Sequence, residues 1–270
     1  MFINFLWTNK IKTAKLLLVF ILKSLCSKLV YMEEMMRKVF FAFVAICFSL
    51  GSVFAGDVAS FVDKGFSEDG KYYVFGQYGK TDKKYQGWAE IYVVDIQEND
   101  YVDGGVFKIK PTAVTAGKVG KEIYESLEEK NFYYLKDLKL KQADLDRVLY
   151  ICDDVNKVGT DEIKFTDFRN SSIDNPNSFS IKLIPTISGS GKDVKSSFYI
   201  MMEKLDCEGN VISSQKIGSP NITRKGISNY KIERIMCDTS EQNLIFVIEK
   251  ILEDDKGISI RYMVEAAKIE

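Results

Sequence analysis

The chain has 270 residues, contains no histidine and carries a formal net charge of −1. The lack of histidine excludes Ser-His-Asp and Cys-His nucleophilic sites, and also the zinc sites that depend on imidazole. Residues 56–270 hold 30 Lys and Arg against 36 Asp and Glu. This mildly acidic balance argues against nucleic acid or anionic lipid as the main partner.

Residues 36–55 have the pattern of a complete secretory signal peptide. Arg37 and Lys38 form a short positive end, and an apolar stretch follows them. Ala55 closes the small-residue motif that precedes signal cleavage, so we predict a cut between Ala55 and Gly56. The sequence therefore predicts an exported protein, located in the periplasm or secreted.

Residues 1–35 precede this signal and contain a second apolar run from Leu16 to Leu22. That run is too short for a membrane span, which needs about 20 apolar residues. We interpret residues 1–35 as a mis-assigned start or an extra N-terminal extension, with translation beginning at Met35 or Met36. A membrane contact is expected only through an uncleaved N-terminus.

Strand-like alternation begins directly after the predicted cleavage site. Residues 58–109 alternate with period two and are divided by turn sequences, which is typical of an antiparallel meander. We predict four strands, the last with a kink or bulge at Gly104-Gly105. In the second strand, alternation predicts that one face carries Tyr73 and Phe75 and the other Tyr72, Val74 and Tyr78.

The period then changes to that of an amphipathic helix. Apolar residues recur at helical spacing through residues 117–135, and we predict one inserted helix there. A turn and strand over 141–152 and a strand over 160–168 follow. The polar stretch 169–178 is linker-like, so the domain 56–270 can divide there into two lobes.

The remainder of the chain predicts six more strands. Their ranges are 178–189, 196–206, 210–219, 229–238, 243–253 and 258–269. We therefore predict a mainly β fold of antiparallel meanders with one inserted helix, or alternatively a β-sandwich.

One turn resembles a known repeat. The sequence Phe66-Ser67-Glu68-Asp69-Gly70-Lys71 is similar to the turn in the propeller blades of periplasmic Tol-associated proteins. A closed propeller needs at least four blades of about 40–45 residues, which the 215 residues of the exported domain barely supply. The resemblance implies blade-like sheets.

A wider resemblance covers residues 56–270. The strings SFVDKGFSEDGKYYVFGQYG, AEIYVVDI, SFYIMMEK and LIFVIEK resemble a bacterial family of predicted secreted proteins with a domain of unknown function. This resemblance implies export and a shared fold. It transfers no catalytic residue.

Aromatic side chains of the meander are the candidate contact surface. Aromatic faces bind sugars and peptides, and tyrosines are common in contact patches. The set consists of Tyr72, Tyr78, Tyr85, Trp88 and Tyr92. Tyr85 and Trp88 flank a polar loop, so we expect these two to be more exposed than the others. The competing interpretation is that alternate residues of each strand fill the core.

The sequence shows no catalytic, cofactor or metal site. An oxygen-rich turn over residues 95–103 lacks the spacing of a calcium loop and reads as a solvated turn. Cys152, Cys207 and Cys237 remain after cleavage, an odd number. They can form one disulfide in three alternative pairings, or serve as small buried hydrophobic residues.

From these features we expect a non-enzymatic binding or protein-interaction module of the cell envelope, whose partner is another envelope protein or a glycan. The first alternative is a histidine-independent enzyme that acts on envelope polymers through carboxylates. The second alternative is a structural module that assembles through exposed strand edges.

The signal peptide predicts a defined N-terminus. We expect N-terminal sequencing of the exported protein to begin at Gly56, because the cut follows the small-residue motif. Whole-cell mass spectrometry should find no peptide from residues 1–30. Detection of such a peptide would contradict a start at Met35 or Met36, and a different first residue would contradict the cleavage site.

Overall fold

The computed structural model of the protein describes residues 57–81, 84–153, 162–167, 176–254 and 257–269. The predicted N-terminal extension, signal peptide and Ala55–Gly56 cleavage site lie outside these residues, as does most of the predicted lobe boundary. Those interpretations stay predictions. Among the described residues, no helix has both the length and the apolar character that crossing a membrane requires.

The predicted four-stranded meander forms the first sheet. Its strands pair antiparallel in chain order: β1 (Ser60–Phe66), β2 (Tyr72–Lys80), β3 (Gly87–Asp95) and β4 (Asp100–Ile109). The predicted irregularity in β4 is confirmed, because Tyr92 pairs with Val106 while Val94 pairs with Tyr101. The extra residues between these pairs include Gly104, whose φ of +73° is a conformation that glycine adopts without strain.

The predicted helix is present at the expected place but is broken into two. They are α1 (Gly120–Lys130) and α2 (Phe132–Asp137), and the break is at Asn131. The Asn131 side chain donates a hydrogen bond to the Leu127 carbonyl at 2.8 Å, a local bond that competes with helix continuation. Helix α1 packs through Ile123 and Leu127 on the outer face of the first sheet.

The remaining strands form two further antiparallel sheets. The second sheet contains β6 (Ile163–Thr166), β7 (Ser178–Ser188), β8 (Lys195–Leu205), β9 (Val211–Ile217) and β10 (Arg224–Lys225). The third contains β5 (Val148–Ile151), β11 (Asn229–Cys237), β12 (Asn243–Asp254) and β13 (Gly257–Lys268), in the order β13-β12-β11-β5. Short 3-10 helices lie at Ala113–Thr115, Leu145–Arg147 and Gly191–Asp193.

The third sheet packs against both of the others. On β12, Leu244 and Phe246 belong to a core cluster shared with the second sheet. Ile245 and Val247, which alternate with them, belong to a cluster shared with the first sheet. The predicted mainly β class is confirmed as three antiparallel sheets, none of which closes on itself or curls strongly in the part of the chain described.

The three cysteines of residues 56–270 lie at different depths in the fold. Cys237 is buried in the core at the end of β11, Cys152 is half-buried after β5, and Cys207 is exposed in the turn before β9. No disulfide joins these three described cysteines.

A polar clasp fastens the start of the described chain to β3 and β13. The Trp88 indole N–H donates to the Asp57 carboxylate at 3.1 Å, and the Arg261 guanidinium donates to the same oxygen at 2.5 Å. The guanidinium also lies 4.0 Å from the centroid of the Trp88 ring. The expectation that Trp88 is one of the two most exposed residues of the candidate contact surface is wrong: the side chain is 4% exposed, because Arg261 and Asp57 cover it.

Removal of the clasp carboxylate should destabilise the protein. We expect Asp57→Ala to lower the free energy of unfolding by about 3 kcal/mol, because it leaves the Arg261 charge and the Trp88 donor without their partner. Urea denaturation measures this loss. Glu68→Ala, which breaks the exposed Lys139–Glu68 pair, is the control and should leave the midpoint nearly unchanged. Equal effects of the two substitutions would contradict the clasp.

Candidate functional site

The five aromatic residues of the predicted contact surface do not form one surface. Tyr72 and Tyr78 are half-buried on the face of the first sheet that α1 covers. Trp88 and Tyr92 are buried on the opposite face, toward the third sheet. Tyr85 alone is strongly exposed, at 62%, in the loop between β2 and β3. Strand alternation separates these side chains, and of the five, Tyr92 lines a cavity between the sheets.

That cavity lies where the three sheets meet, and we call it the three-sheet cavity. Its volume is about 630 Å³, within the range typical of small-molecule sites. Each sheet contributes to its wall, and the residues that matter for its chemistry are Tyr92, Tyr101, Lys108, Arg224, Lys250 and Glu265.

A groove of about 690 Å³ lies between β1 and the two helices. Two of its lysines form ion pairs: Lys64 lies 2.6 Å from the Glu128 carboxylate, and Lys139 lies 2.5 Å from Glu68. These pairs need no ligand to balance them. The three-sheet cavity is therefore the stronger candidate.

A hydrogen-bonded network on the first sheet forms one wall of the three-sheet cavity. The Tyr92 hydroxyl donates to the Glu90 carboxylate at 2.5 Å, and the Gln77 amide donates to the same oxygen at 2.9 Å. Lys108 lies 3.3 Å from the other Glu90 oxygen and donates to the Tyr92 hydroxyl at 3.0 Å. Burial and the neighbouring Glu90 carboxylate raise the pKa of Tyr92. The phenol therefore stays protonated, and Glu90 balances the charge of Lys108.

The turn between β3 and β4 closes a second wall through Asn99. Its amide donates to the Glu265 carboxylate at 2.6 Å, and its carbonyl oxygen accepts the Ala266 backbone N–H at 2.6 Å. Arg224 lies 3.7 Å from the other Glu265 oxygen. Burial raises the pKa of Glu265, while Asn99 and Arg224 oppose that rise.

The oxygen-rich turn of the sequence thus has a structural role. Asp95 accepts the backbone N–H groups of Gln97 and Glu98 at 3.0 Å each, and Asn99 binds β13. In the described ranges, no group of three His, Cys, Asp or Glu side chains is arranged to hold a metal ion.

Lys250 differs from the other charged residues of the three-sheet cavity. It is half-buried on β12, where it pairs across the sheet with Tyr230 and Arg261. No hydrogen bond or ion pair joins its ammonium group to any described residue. The cavity therefore holds one cation without a protein partner.

The surroundings of Lys250 lower the pKa of its amine. Burial is the main cause, and together with the charges of Arg224, Lys108 and Arg261 it lowers the pKa of Lys250 to about 8, against the opposing charge of Glu90. At neutral pH the side chain is still mostly a cation. It can therefore form an ion pair with a ligand that enters the three-sheet cavity.

Sequence reasoning missed Lys250, Arg224 and Glu265. A signal for Lys250 does exist, since Glu249-Lys250 interrupts the apolar run LIFVI…IL. A strand buried on both faces reads as a continuous apolar run, so a charge inside one marks a cavity or a paired group. Arg224 and Glu265 carry no comparable signal, because their position depends on how the sheets pack.

Comparison with known proteins gives one match. The model of a family of predicted secreted proteins, DUF2259, matches residues 74–268, a span that includes every residue of the three-sheet cavity. No curated protein and no solved structure matches the chain.

The lowered pKa of Lys250 predicts a pH-dependent stability difference. The unfolded chain holds this proton up to a pKa near 10.5, whereas the folded chain releases it above about 8. The charged amine therefore opposes folding at pH 7, and this opposition disappears as pH rises from 8 to 10.5. We expect Lys250→Met to be more stable than wild type at pH 7, with the difference shrinking across that interval.

Urea denaturation at pH 7, 9 and 10.5 measures this difference. Lys216→Met, at an exposed position on β9, is the matched control, since it removes the same charge outside the cavity. A stability difference for Lys250→Met that stays constant with pH would contradict the placement of Lys250.

Proposed function

The chain belongs to this family of predicted secreted proteins, and we propose that it is an exported, non-enzymatic binding protein of the cell envelope. The three-sheet cavity is its ligand site. Export is supported by the signal pattern over residues 36–55 and by the family match.

The observation that carries this proposal is the unpartnered amine of Lys250. Lys108 is balanced by Glu90, and Arg224 lies beside Glu265. A half-buried charge without an ion-pair partner lowers stability, and residues that do so are typical of functional sites. A ligand that enters the three-sheet cavity would supply the missing partner.

The size and lining of the three-sheet cavity favour a small polar molecule over a protein. Its volume of about 630 Å³ suits a ligand of saccharide size, whereas a protein partner needs about 800 Å² of matching surface. The rings of Tyr92 and Tyr101 lie 5.0 Å apart and provide the aromatic contacts that sugars use. A glycan fragment of the envelope is therefore the favoured ligand class.

Two buried or half-buried carboxylates at the three-sheet cavity, Glu265 in its lining and Glu90 behind Tyr92 and Lys108, support binding over catalysis. Glu90 accepts hydrogen bonds from Tyr92 and Gln77, and Glu265 accepts one from Asn99. These bonds hold the sheets and the β3–β4 turn together. A general acid or base must instead be placed to exchange a proton with substrate.

A blocked cavity should abolish ligand binding. Ser219 lies in the turn after β9 and lines the three-sheet cavity, so Ser219→Phe places a ring in the space of the ligand. We expect members of a panel of neutral, acidic and amino sugars to raise the melting temperature of wild type, and not that of Ser219→Phe.

The matched control is Ser213→Phe, which adds the same ring at an exposed position on β9. It should retain the wild-type response to each ligand. The proposed site is wrong if no panel member binds wild type, or if Ser219→Phe binds as wild type does.

A further inference from the structure

The amine of Lys250 also indicates the charge of the ligand. We propose that the ligand carries an anionic group, a carboxylate or a phosphate, that forms an ion pair with Lys250 inside the three-sheet cavity. This inference rests on the proposed function and names the chemical class of its ligand.

Three positive side chains, Lys108, Arg224 and Lys250, line the three-sheet cavity, one from each sheet. Lys250 and Arg261 are cross-strand neighbours on β12 and β13, while Arg224 and Lys108 line the same cavity from β10 and β4. Like charges held together repel, and an anion bound among them relieves that repulsion. A neutral ligand would leave Lys250 without an ion-pair partner.

Three acidic residues also line the three-sheet cavity: Glu98, Asp100 and Glu265. Glu98 is exposed in the β3–β4 turn, and Asp100 is exposed at the start of β4, where its carboxylate accepts the Tyr101 backbone N–H at 2.7 Å. Glu265 is bound to Asn99. None of these three carboxylates forms an ion pair with Lys250. Glu90 acts on the Lys250 amine only through its charge, so an anionic ligand would be its first ion-pair partner.

Arg224 can provide a second donor to the same anion. Its guanidinium lies over the Phe198 ring, 4.9 Å from the centroid, and 3.7 Å from Glu265. The distance to Glu265 is longer than a hydrogen bond. Arg224 therefore keeps N–H donors for a ligand oxygen, and a guanidinium suits carboxylate and phosphate groups equally well.

The test uses small probes that differ in charge. Acetate and acetamide have nearly the same shape, and only acetate is an anion; inorganic phosphate is the second anion. Each is titrated into protein whose lysine side chains carry a ¹³C label, and the Lys250 resonance is assigned by comparison with Lys250→Met. We expect acetate or phosphate to shift this resonance saturably, with a dissociation constant at least tenfold lower than that of acetamide.

The two anions distinguish the source of the group. Preferential binding of acetate indicates an acidic sugar or another carboxylate, and preferential binding of phosphate indicates a phosphorylated ligand. Lys216→Met should bind both as wild type does, whereas Ser219→Phe should bind neither.

A pH series tests the role of the Lys250 charge. Acetate keeps its charge from pH 6 to 10, so its affinity should be constant below pH 8 and fall about tenfold per pH unit above it, as Lys250 loses its proton. The charged groups that face Lys250 are Glu90, Lys108, Arg224 and Arg261.

Two results would overturn the anionic assignment. One is a Lys250 resonance that responds to neither anion, and the other is equal affinity for acetate and acetamide. If an uncharged sugar still binds wild type and fails to bind Ser219→Phe, the three-sheet cavity remains the ligand site and only the anionic assignment is wrong. If nothing binds in a manner sensitive to Ser219→Phe, the proposed function is wrong as well.

Discussion

The burial of the third sheet on both of its faces is the constraint on which the rest of the domain depends. Five consecutive residues of β12, from Leu244 to Ile248, are completely buried, and they point alternately into the two core clusters. Such a strand has no solvent-exposed face on which a charged side chain could lie. A lysine two residues further along the same strand therefore requires a cavity, a partner or a ligand.

Two polar contacts on β13 hold the first sheet against this central layer. Arg261 binds Asp57 and Trp88, while Glu265 and the neighbouring backbone bind Asn99. The stretch of β13 between them lines the three-sheet cavity. The contacts that hold the sheets together therefore also determine how far apart the walls of the three-sheet cavity lie. Both the stability of the domain and ligand binding thus depend on β13.

Much of the fold follows from local sequence patterns. Period-two alternation predicted the meander and the strands of the other sheets except the two-residue β10, and the glycine pair predicted the β4 bulge. The packing order of the sheets could not be predicted, because alternation shows which residues share a face without showing what covers that face. Trp88 illustrates this limit: it flanks a polar loop, yet Arg261 from the far end of the chain covers it.

The candidate site was less predictable than the fold. Tyr92 was named from the sequence, but as part of an exposed aromatic surface, whereas the structure places it in a cavity wall beside Lys108. Residues far apart in sequence meet there only because three sheets converge. The binding role, in turn, depends on one physical property, which is the partial burial of Lys250 without an ion-pair partner among the described residues.

That property can be measured directly in the protein without ligand. An NMR titration of the Lys250 side chain should give a pKa of about 8, because burial and the nearby cations disfavour its charged form. A pKa near the ordinary 10.5 would show that the amine is solvated or paired, and would contradict the three-sheet cavity as a site built around an unpartnered charge.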